Sequence, residues 1–296
     1  MTINYHCIMK LDLFNIANFK VDGGAMFGVV PKALWSRVYS ADDNNLIVLA
    51  LRSLIVETGN RTILVDTGWG DKQDDKFFRH TYIHDGEGLS EGLRKRGLEP
   101  EDITDVVLTH LHADHCGGGV VRSREGGAGF ELTFPNAIYH VSRTQWEWAV
   151  RNNPREEDAF LEENILPIGD SGHLNLVDED CELFEGFSVR IYYGHTPGLM
   201  IPFIKYKGKT LIYTGDLIPT IAHLPLIWNM SYDIESLRTI DEKSALLEEA
   251  LAGNYILVFQ HDVSAECCTL RMTEKGIRAG EKGRLVDFLQ ANPHTL

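Results

Sequence analysis

Apolar residues fall into short blocks along this chain, rich in Val, Ile, Leu, Phe and Tyr, and many of the blocks stop at a histidine or aspartate. Blocks of that length and composition predict strands. Residues 8–14 predict the first strand. Residues 49–57 and 62–66 predict a hairpin joined through Thr58-Gly59-Asn60-Arg61, and residues 105–109 predict a buried strand. Residues 88–97 predict a helix closed by Gly97. Residues 137–141 predict a strand, followed by a helix that Ser142 caps and that carries Trp146 and Trp148. Gly126 to Gly129 predict a flexible connection, and Arg151 to Asp158 a polar excursion before a short helix to about Ile165.

The second half alternates differently. Residues 174–177, 181–184 and 188–193 predict consecutive strands, and residues 201–206 and 210–213 a hairpin over Lys207-Gly208-Lys209. The longest helical pattern covers residues 233–252, and residues 255–259 read as a buried strand. Each half therefore offers strands first and helices after. That order predicts an α/β fold of two facing mixed β-sheets with helices outside, a four-layer αββα sandwich. No linker composition separates the halves, so residues 1–296 read as a single domain, with residues 1–46 as an N-terminal strand and apolar loop extension. The loop of that extension, residues 21–32, holds three glycines and unusually apolar cargo. It suits a flap packed on the core, or the lining of a substrate pocket contributed by Met26, Phe27 and Trp35.

Composition narrows the function. A net charge of -15 argues against nucleic acid, because phosphate contacts need clustered Lys and Arg. No window approaches 18 uninterrupted apolar residues, and the first residues lack a basic region followed by an apolar run. Neither a membrane span nor a signal peptide is expected. Five cysteines without framework spacing suit a thiol-reducing compartment, so a cytoplasmic protein is expected.

The chemistry concentrates after the strand at residues 105–109. Residues 110–115, His-Leu-His-Ala-Asp-His, place three imidazoles and a carboxylate within six positions, ahead of Gly117-Gly118-Gly119. Neutral imidazole and carboxylate are the ligands that borderline metals such as zinc prefer. His110 and His112 are two apart, so in extended backbone they point the same way and can share one ion. Asp114 and His115 follow the turn and can point at a second. Cys116 reads as a packed thiol. Asp66, at a strand end beside Gly68 and Gly70, suits a carboxylate that accepts a hydrogen bond from a ligand imidazole. His195, Asp216 and His261 each stand where a further predicted strand runs out.

These motifs together resemble the metallo-β-lactamase superfamily: His110-x-His112-x-Asp114-His115, then Gly194-His195-Thr196-Pro197-Gly198, Gly215-Asp216 and His261, with Asp66-x-Gly68-x-Gly70 similar to its first motif. The match spans about residues 47–261. Within the superfamily the chain is most similar to the branch of quorum-quenching N-acyl-homoserine lactonases and methyl parathion hydrolase, which residues 22–32 also resemble. The resemblance implies two divalent metal ions, zinc first, with manganese, iron or cobalt as alternatives. His110, His112 and His195 would hold one ion, and Asp114, His115 and His261 the other. Asp216 would bridge them together with a hydroxide that serves as nucleophile. Asp114 and Asp216 are accordingly the carboxylates expected to act in catalysis. The implied activity is hydrolysis of a small-molecule lactone or carboxylic ester, with an arylesterase or phosphotriesterase as the alternative and a non-catalytic metal-bound sensor as the rival from another class. Branch analogy adds a homodimer.

Departures narrow the branch. The aspartate at position 216 disfavours antibiotic hydrolysis, since true dizinc β-lactamases often carry Cys or Ser there. His112 stands where flavodiiron oxidoreductases have Glu, and the 35 residues after His261 are too few for the helical domain of glyoxalase II. Many homoserine lactonases place a catalytic Tyr three residues after the bridging Asp, where this chain has Pro219. His223, Tyr193 and Tyr232 are the candidates to replace it, and His223 also joins the candidate pocket-lining residues.

Overall fold

The computed structural model describes residues 9–123, 129–151 and 153–290. Its strands, in chain order, are β1 (Lys10–Asp22), β2 (Leu46–Thr58), β3 (Arg61–Val65), β4 (Asp105–Val107), β5 (Val120–Arg122), β6 (Phe130–Leu132), β7 (Ile138–Ser142), β8 (Leu174–Val177), β9 (Cys181–Phe184), β10 (Phe187–Tyr192), β11 (Leu199–Tyr206), β12 (Lys209–Tyr213), β13 (Ile256–Val258), β14 (Cys267–Thr273) and β15 (Gly276–Gly283). The helices are α1 (Gly23–Phe27), α2 (Lys32–Trp35), α3 (Asp75–Phe78), α4 (Leu89–Arg94), α5 (Ala113–Cys116), α6 (Arg143–Arg151), α7 (Glu162–Asp170), α8 (Ser236–Ala252) and α9 (Leu285–Gln290). Among the described residues one mixed sheet runs β1-β2-β3-β4-β7-β8 and a second runs β15-β14-β13-β12-β11-β10-β9, while β5 and β6 form a small ribbon.

The alternation of side chains along each strand makes the layers. In β3, Ile63 and Val65 point between the sheets, while Leu64 points to the outer helices. In β12, Leu211 and Tyr213 meet them from the facing sheet, and Ile212 turns outward with Leu257 of β13 beneath Leu246 and Leu247 of α8. The middle of the sandwich is therefore filled by inward residues of both sheets, and each outer face is closed by its own helices. This is the αββα arrangement the strand order predicts.

Three elements differ from the sequence expectation. β1 continues to Asp22 instead of ending near residue 14, because a bulge between Asn15 and Ala17 breaks the period-two pattern that would have revealed it. Asn15 fills that irregularity with its own side chain, whose Oδ1 accepts a hydrogen bond from Leu51 N at 3.1 Å. β8 does not open the second sheet; it pairs in parallel with β7 and forms the far edge of the first. The expected helix to Ile165 instead begins at Glu162 and runs through Pro167 to Asp170. The predicted cap does form, since Ser142 Oγ accepts from Gln145 N at 3.0 Å. The expected glycine connection at 126–129 lies, apart from Gly129, outside the described residues. No helix among the described residues is long and apolar enough to cross a membrane.

Candidate metal centre

The histidine segment leaves β4 and is drawn to the facing sheet by Met200 N of β11, which donates to Thr109 O at 2.7 Å. His112 lies on extended backbone at the start of α5, which then turns Asp114 and His115 back over the same spot. Gly117 and Gly118 are required by a close approach of two chain segments. A Cβ on either would stand 2.2 Å from a carbonyl oxygen of the Thr67–Trp69 turn. The loops after β10, β12 and β13 bring His195, Asp216 and His261 to the same sheet edge.

The donor atoms sort into two clusters. Nε2 of His110, Nδ1 of His112 and Nε2 of His195 converge, with His112 Nδ1 at 3.0 Å from His110 and 3.3 Å from His195. Asp114, His115 and His261 form the second, with His115 Nε2 3.4 Å from His261 Nε2 and 3.6 Å from Asp114 Oδ2. Asp216 lies between them and divides its oxygens. Its Oδ2 is 3.3 Å from His195 Nε2 and 4.0 Å from His110 Nε2; its Oδ1 is 3.1 Å from His261 Nε2 and 3.6 Å from His115 Nε2.

The outward nitrogens explain why a cation fits. His115 Nδ1 faces Asp66 Oδ2 at 3.0 Å, His195 Nδ1 faces Asp233 Oδ1 at 2.9 Å, and His261 Nδ1 faces Ala50 O at 2.8 Å. His112 Nε2 faces Glu156 Oε1 at 3.0 Å. His110 Nδ1 lies 3.1 Å from Thr109 Oγ1, whose own proton goes to Asp66 Oδ2 at 2.8 Å. All five partners are acceptors, so in the neutral rings the outward nitrogen carries the hydrogen and the inward one presents a lone pair. Lone pairs packed 3.0–3.4 Å apart repel unless a cation stands among them. Asp216 Oδ1 is also buried with no hydrogen-bond partner among the described residues. The donor set, imidazole and carboxylate without thiolate, suits divalent metal ions of the zinc type.

Electrostatics agree with the geometry. Burial, and then the neighbouring imidazoles of His115 and His112, push His110 well below the usual imidazole range. Burial opposes charge on His115 as well, but Asp114 and Asp216 outweigh it and hold that ring well above the usual range. Asp216 is held well below the usual carboxylate range: burial opposes its charge, and His115 and His261 override it. Burial raises the Cys116 thiol to about 12, and its Sγ donates to Leu111 O at 3.2 Å, so it is a packed thiol.

Two residues of this site escaped the sequence reading. Glu156 sits in the stretch read as a polar excursion, yet it is buried and collects four donors. Its Oε1 accepts from His112 and from Thr196 Oγ1 at 2.8 Å; its Oε2 accepts from Trp148 Nε1 at 2.6 Å and Asn153 Nδ2 at 3.1 Å. Burial works against its charge, but these bonds, led by the one from His112, bring its carboxyl down to about 2. Asp233 opens the segment read as a helix; the helix starts at Ser236 instead, and Asp233 turns to His195. A local pattern marks neither residue, because each partner is distant in sequence.

The candidate pocket-lining residues form a closed block. Phe27 is stacked between Trp35, with ring centroids 5.2 Å apart, and His223 at 4.9 Å. His223 donates from Nε2 to Met26 O at 2.8 Å, and its Nδ1 accepts from Thr220 Oγ1 at 2.7 Å. Met26, Phe27, Trp35 and His223 are all buried, so the loop is packed as a flap and His223 has no free ring nitrogen. The flap also touches the site's support, since Ser231 N donates to Ala25 O at 2.8 Å, two residues before Asp233.

Residues 52–261 match the model of the metallo-beta-lactamase superfamily. The chain belongs to that superfamily. An N-acyl homoserine lactonase of Bacillus thuringiensis is 30% identical over 181 residues, covering 56% of this chain and 64% of the relative. The chain thus spans just under two thirds of the length of that curated relative. A second N-acyl homoserine lactonase, from a Bacillus species, is 28% identical and covers 75% of this chain and 84% of the relative. Among solved structures, a probable metal-dependent hydrolase from Staphylococcus aureus is 29% identical with a TM-score of 0.82, covering 88% of this chain and 92% of that one. A dizinc quorum-quenching lactonase in complex with its product is 22% identical with a TM-score of 0.73, over 93% and 95% of the two chains. At that identity it shows the shared fold.

Proposed function

We propose that this protein is a dinuclear metal-dependent hydrolase that opens N-acyl homoserine lactones. The observation that carries the reading is the division of Asp216 between two clusters, Oδ2 toward His195 and His110, Oδ1 toward His261 and His115. His110, His112 and His195 would hold one ion, Asp114, His115 and His261 the other, with Asp216 shared. Zinc suits the set first, and manganese, iron or cobalt are its alternatives. Bound there, two divalent ions supply a water acidic enough to attack at neutral pH and an electrophile for a carbonyl oxygen. The protein's part is to fix the rings through Asp66, Asp233, Glu156 and the Ala50 carbonyl, and to place Asp114 and Asp216 where their charge offsets that of the ions. The similarity to lactonases supports lactone as substrate over an aryl ester or phosphotriester.

At Pro219 the chain has backbone chemistry in place of a phenol: its carbonyl accepts from His261 N at 3.2 Å. His223 is occupied at both nitrogens. Tyr193 packs its ring against the Arg238 guanidinium, 4.3 Å from the ring centroid. Tyr232 stands one residue before Asp233 and is half-exposed, with its phenol raised by burial and then by the charge of Asp114. Tyr232 is our candidate to donate a hydrogen bond to the substrate.

The test is acid release from N-acyl homoserine lactones of several chain lengths by zinc-loaded protein, beside an aryl ester and a phosphotriester. The expected result is lactone opening with kcat/KM on the order of 10⁴ M⁻¹s⁻¹ or more, lowered at least about tenfold in Tyr232→Phe. Cleavage of the ester or phosphotriester alone would discard the lactone substrate and keep the metal chemistry.

A further inference from the structure

A cavity of about 860 Å³ lies apart from the metal centre: its lining includes none of the seven candidate ligands. One wall is apolar, with Val38, Ile221, Trp228 and Val263, and two of these, Val38 at 59% and Val263 at 43%, are large hydrophobic residues left exposed. The other wall is the β14–β15 hairpin, which contributes Arg271, Arg278 and Lys282. The size is that of a small-molecule site, in the range of roughly 300–1,000 Å³.

The cations are arranged at a cost. Arg271 and Arg278 are direct cross-strand partners, and like charges directly opposite each other destabilise a strand pair. Among the described residues no carboxylate lies within ion-pair distance of Arg271, Arg278 or Lys282. Arg271 Nε donates to Ala279 O at 3.2 Å and Arg278 Nη1 to Ile277 O at 2.7 Å, so among the described residues both guanidinium groups donate only to hairpin carbonyls. Asp262 also lines the cavity, but its oxygens are taken. Oδ1 accepts from Ser264 N, Ser264 Oγ and Ala265 N, and Oδ2 from Ile221 N at 2.8 Å. In a chain of net charge -15, three unpaired cations facing an exposed apolar wall ask for a ligand that is anionic at one end and apolar along its length.

We propose that this cleft binds a single-chain amphiphilic carboxylate, its head between Arg271 and Arg278 beside Lys282 and its acyl chain along Val38, Ile221 and Trp228. Guanidinium forks match a carboxylate in bidentate fashion, and the apolar wall sets the preference for a chain over a bare anion. The site does not depend on hydrolysis at the metal centre, so binding tests it separately.

The experiment is calorimetric titration of the zinc-loaded full chain with sodium decanoate below its micellar range, and with 1-decanol as the uncharged control. Expected are one decanoate per chain, at least tenfold weaker decanol binding, and at least tenfold weaker decanoate binding in Arg271→Ala/Arg278→Ala. Val38→Asp, on the opposite wall, should weaken decanoate similarly. The double variant should keep its turnover of a short lactone or ester, since neither arginine touches the metal centre. Undiminished decanoate binding in the double variant, equal binding of decanol, or no binding of decanoate would each overturn the proposal. Loss of decanoate binding on chelation of zinc, with the arginines intact, would move the ligand to the metal centre and overturn it too. Decanoate replaced at this cleft by anionic vesicles, bound only when bilayers are present, would reassign the surface to a membrane and reject the free amphiphile.

Discussion

Glu156 shows how one side chain decides the behaviour of another. Its bond to His112 Nε2 fixes the hydrogen on that nitrogen and leaves Nδ1 facing His110 and His195. Partners of this kind are worth about 10–100-fold in metal affinity. Glu156→Ala is therefore expected to weaken the tighter of two zinc-binding steps by about that factor, read by chelator competition, and Glu156→Gln, which keeps an acceptor oxygen, by less. Equal affinity in Glu156→Ala would remove His112 from the ligand set. His223 makes a prediction about pH. Burial takes its pKa down to about 4, and the nearby Lys243 adds to the shift, so the native ring stays neutral where the unfolded one, near 6.5, takes a proton. Its folded value is depressed, so stability falls as pH drops from about 6.5 to 4, by up to about 3 kcal/mol. Denaturant titrations at pH 7 and pH 4.5 should show a larger acid loss in the native sequence than in His223→Gln; equal losses would assign acid sensitivity elsewhere.

At the scale of elements, the strands that carry the site were the most legible part of the sequence. Blocks such as residues 62–66, 210–213 and 255–259 are rich in β-branched, aliphatic and aromatic residues and run out at, or just before, polar residues, so both their type and their functional end could be read. β15, Gly276–Gly283, could not: it is an edge strand of glycine and charge, and it forms because β14 pairs with it. α8 was legible as a helix from its periodicity, but its main task was not. Lys243 on its buried face donates to the carbonyl oxygens of His223 at 3.0 Å, Pro225 at 3.2 Å and Trp228 at 2.8 Å. A lysine in a helical pattern reads as solvent-facing, and only the returning loop shows why it is buried. Removing it leaves the carbonyls of His223 and Trp228 without a partner, while Pro225 O keeps Trp228 N at 2.9 Å, so Lys243→Met should cost about 2–4 kcal/mol, measured by chemical denaturation. Because the 223–228 segment also carries the flap through His223 and Met26, the variant should raise KM more than it lowers kcat. A purely thermal effect with unchanged KM would leave the helix as scaffold alone.

Across the whole molecule, the candidate centre joins two sheets whose facing sides are filled mainly by apolar side chains, with a few buried bonds such as Tyr213 OH to Arg52 O at 2.8 Å. Its ligands come from the ends of β4, β10, β12 and β13, so charge at that edge is set by both halves at once. The convergence was legible only as a set of strand ends, and Asp233 and Glu156 complete it from segments with no signal of their own. Without cations, the carboxylates Asp114 and Asp216 raise His115, and Asp216 and Asp233 raise His195, each against the opposing effect of burial. Both rings then hold a proton to higher pH than a free imidazole does, and a metal ligand cannot keep it. Zinc loading should therefore release protons, more of them at lower pH, read by base uptake in unbuffered solution. The sign in stability follows. A ring whose folded pKa is raised stabilises the metal-free protein below about 6.5 and loses that contribution as pH rises through the folded value. Metal affinity moves the other way, since fewer protons must be displaced at higher pH. The gap in Tm between zinc-loaded and chelated protein should widen from pH 6 to pH 8 at constant free zinc. A gap that narrows, or zinc binding without proton release, would mean that His115 and His195 are not the groups that hold the metal.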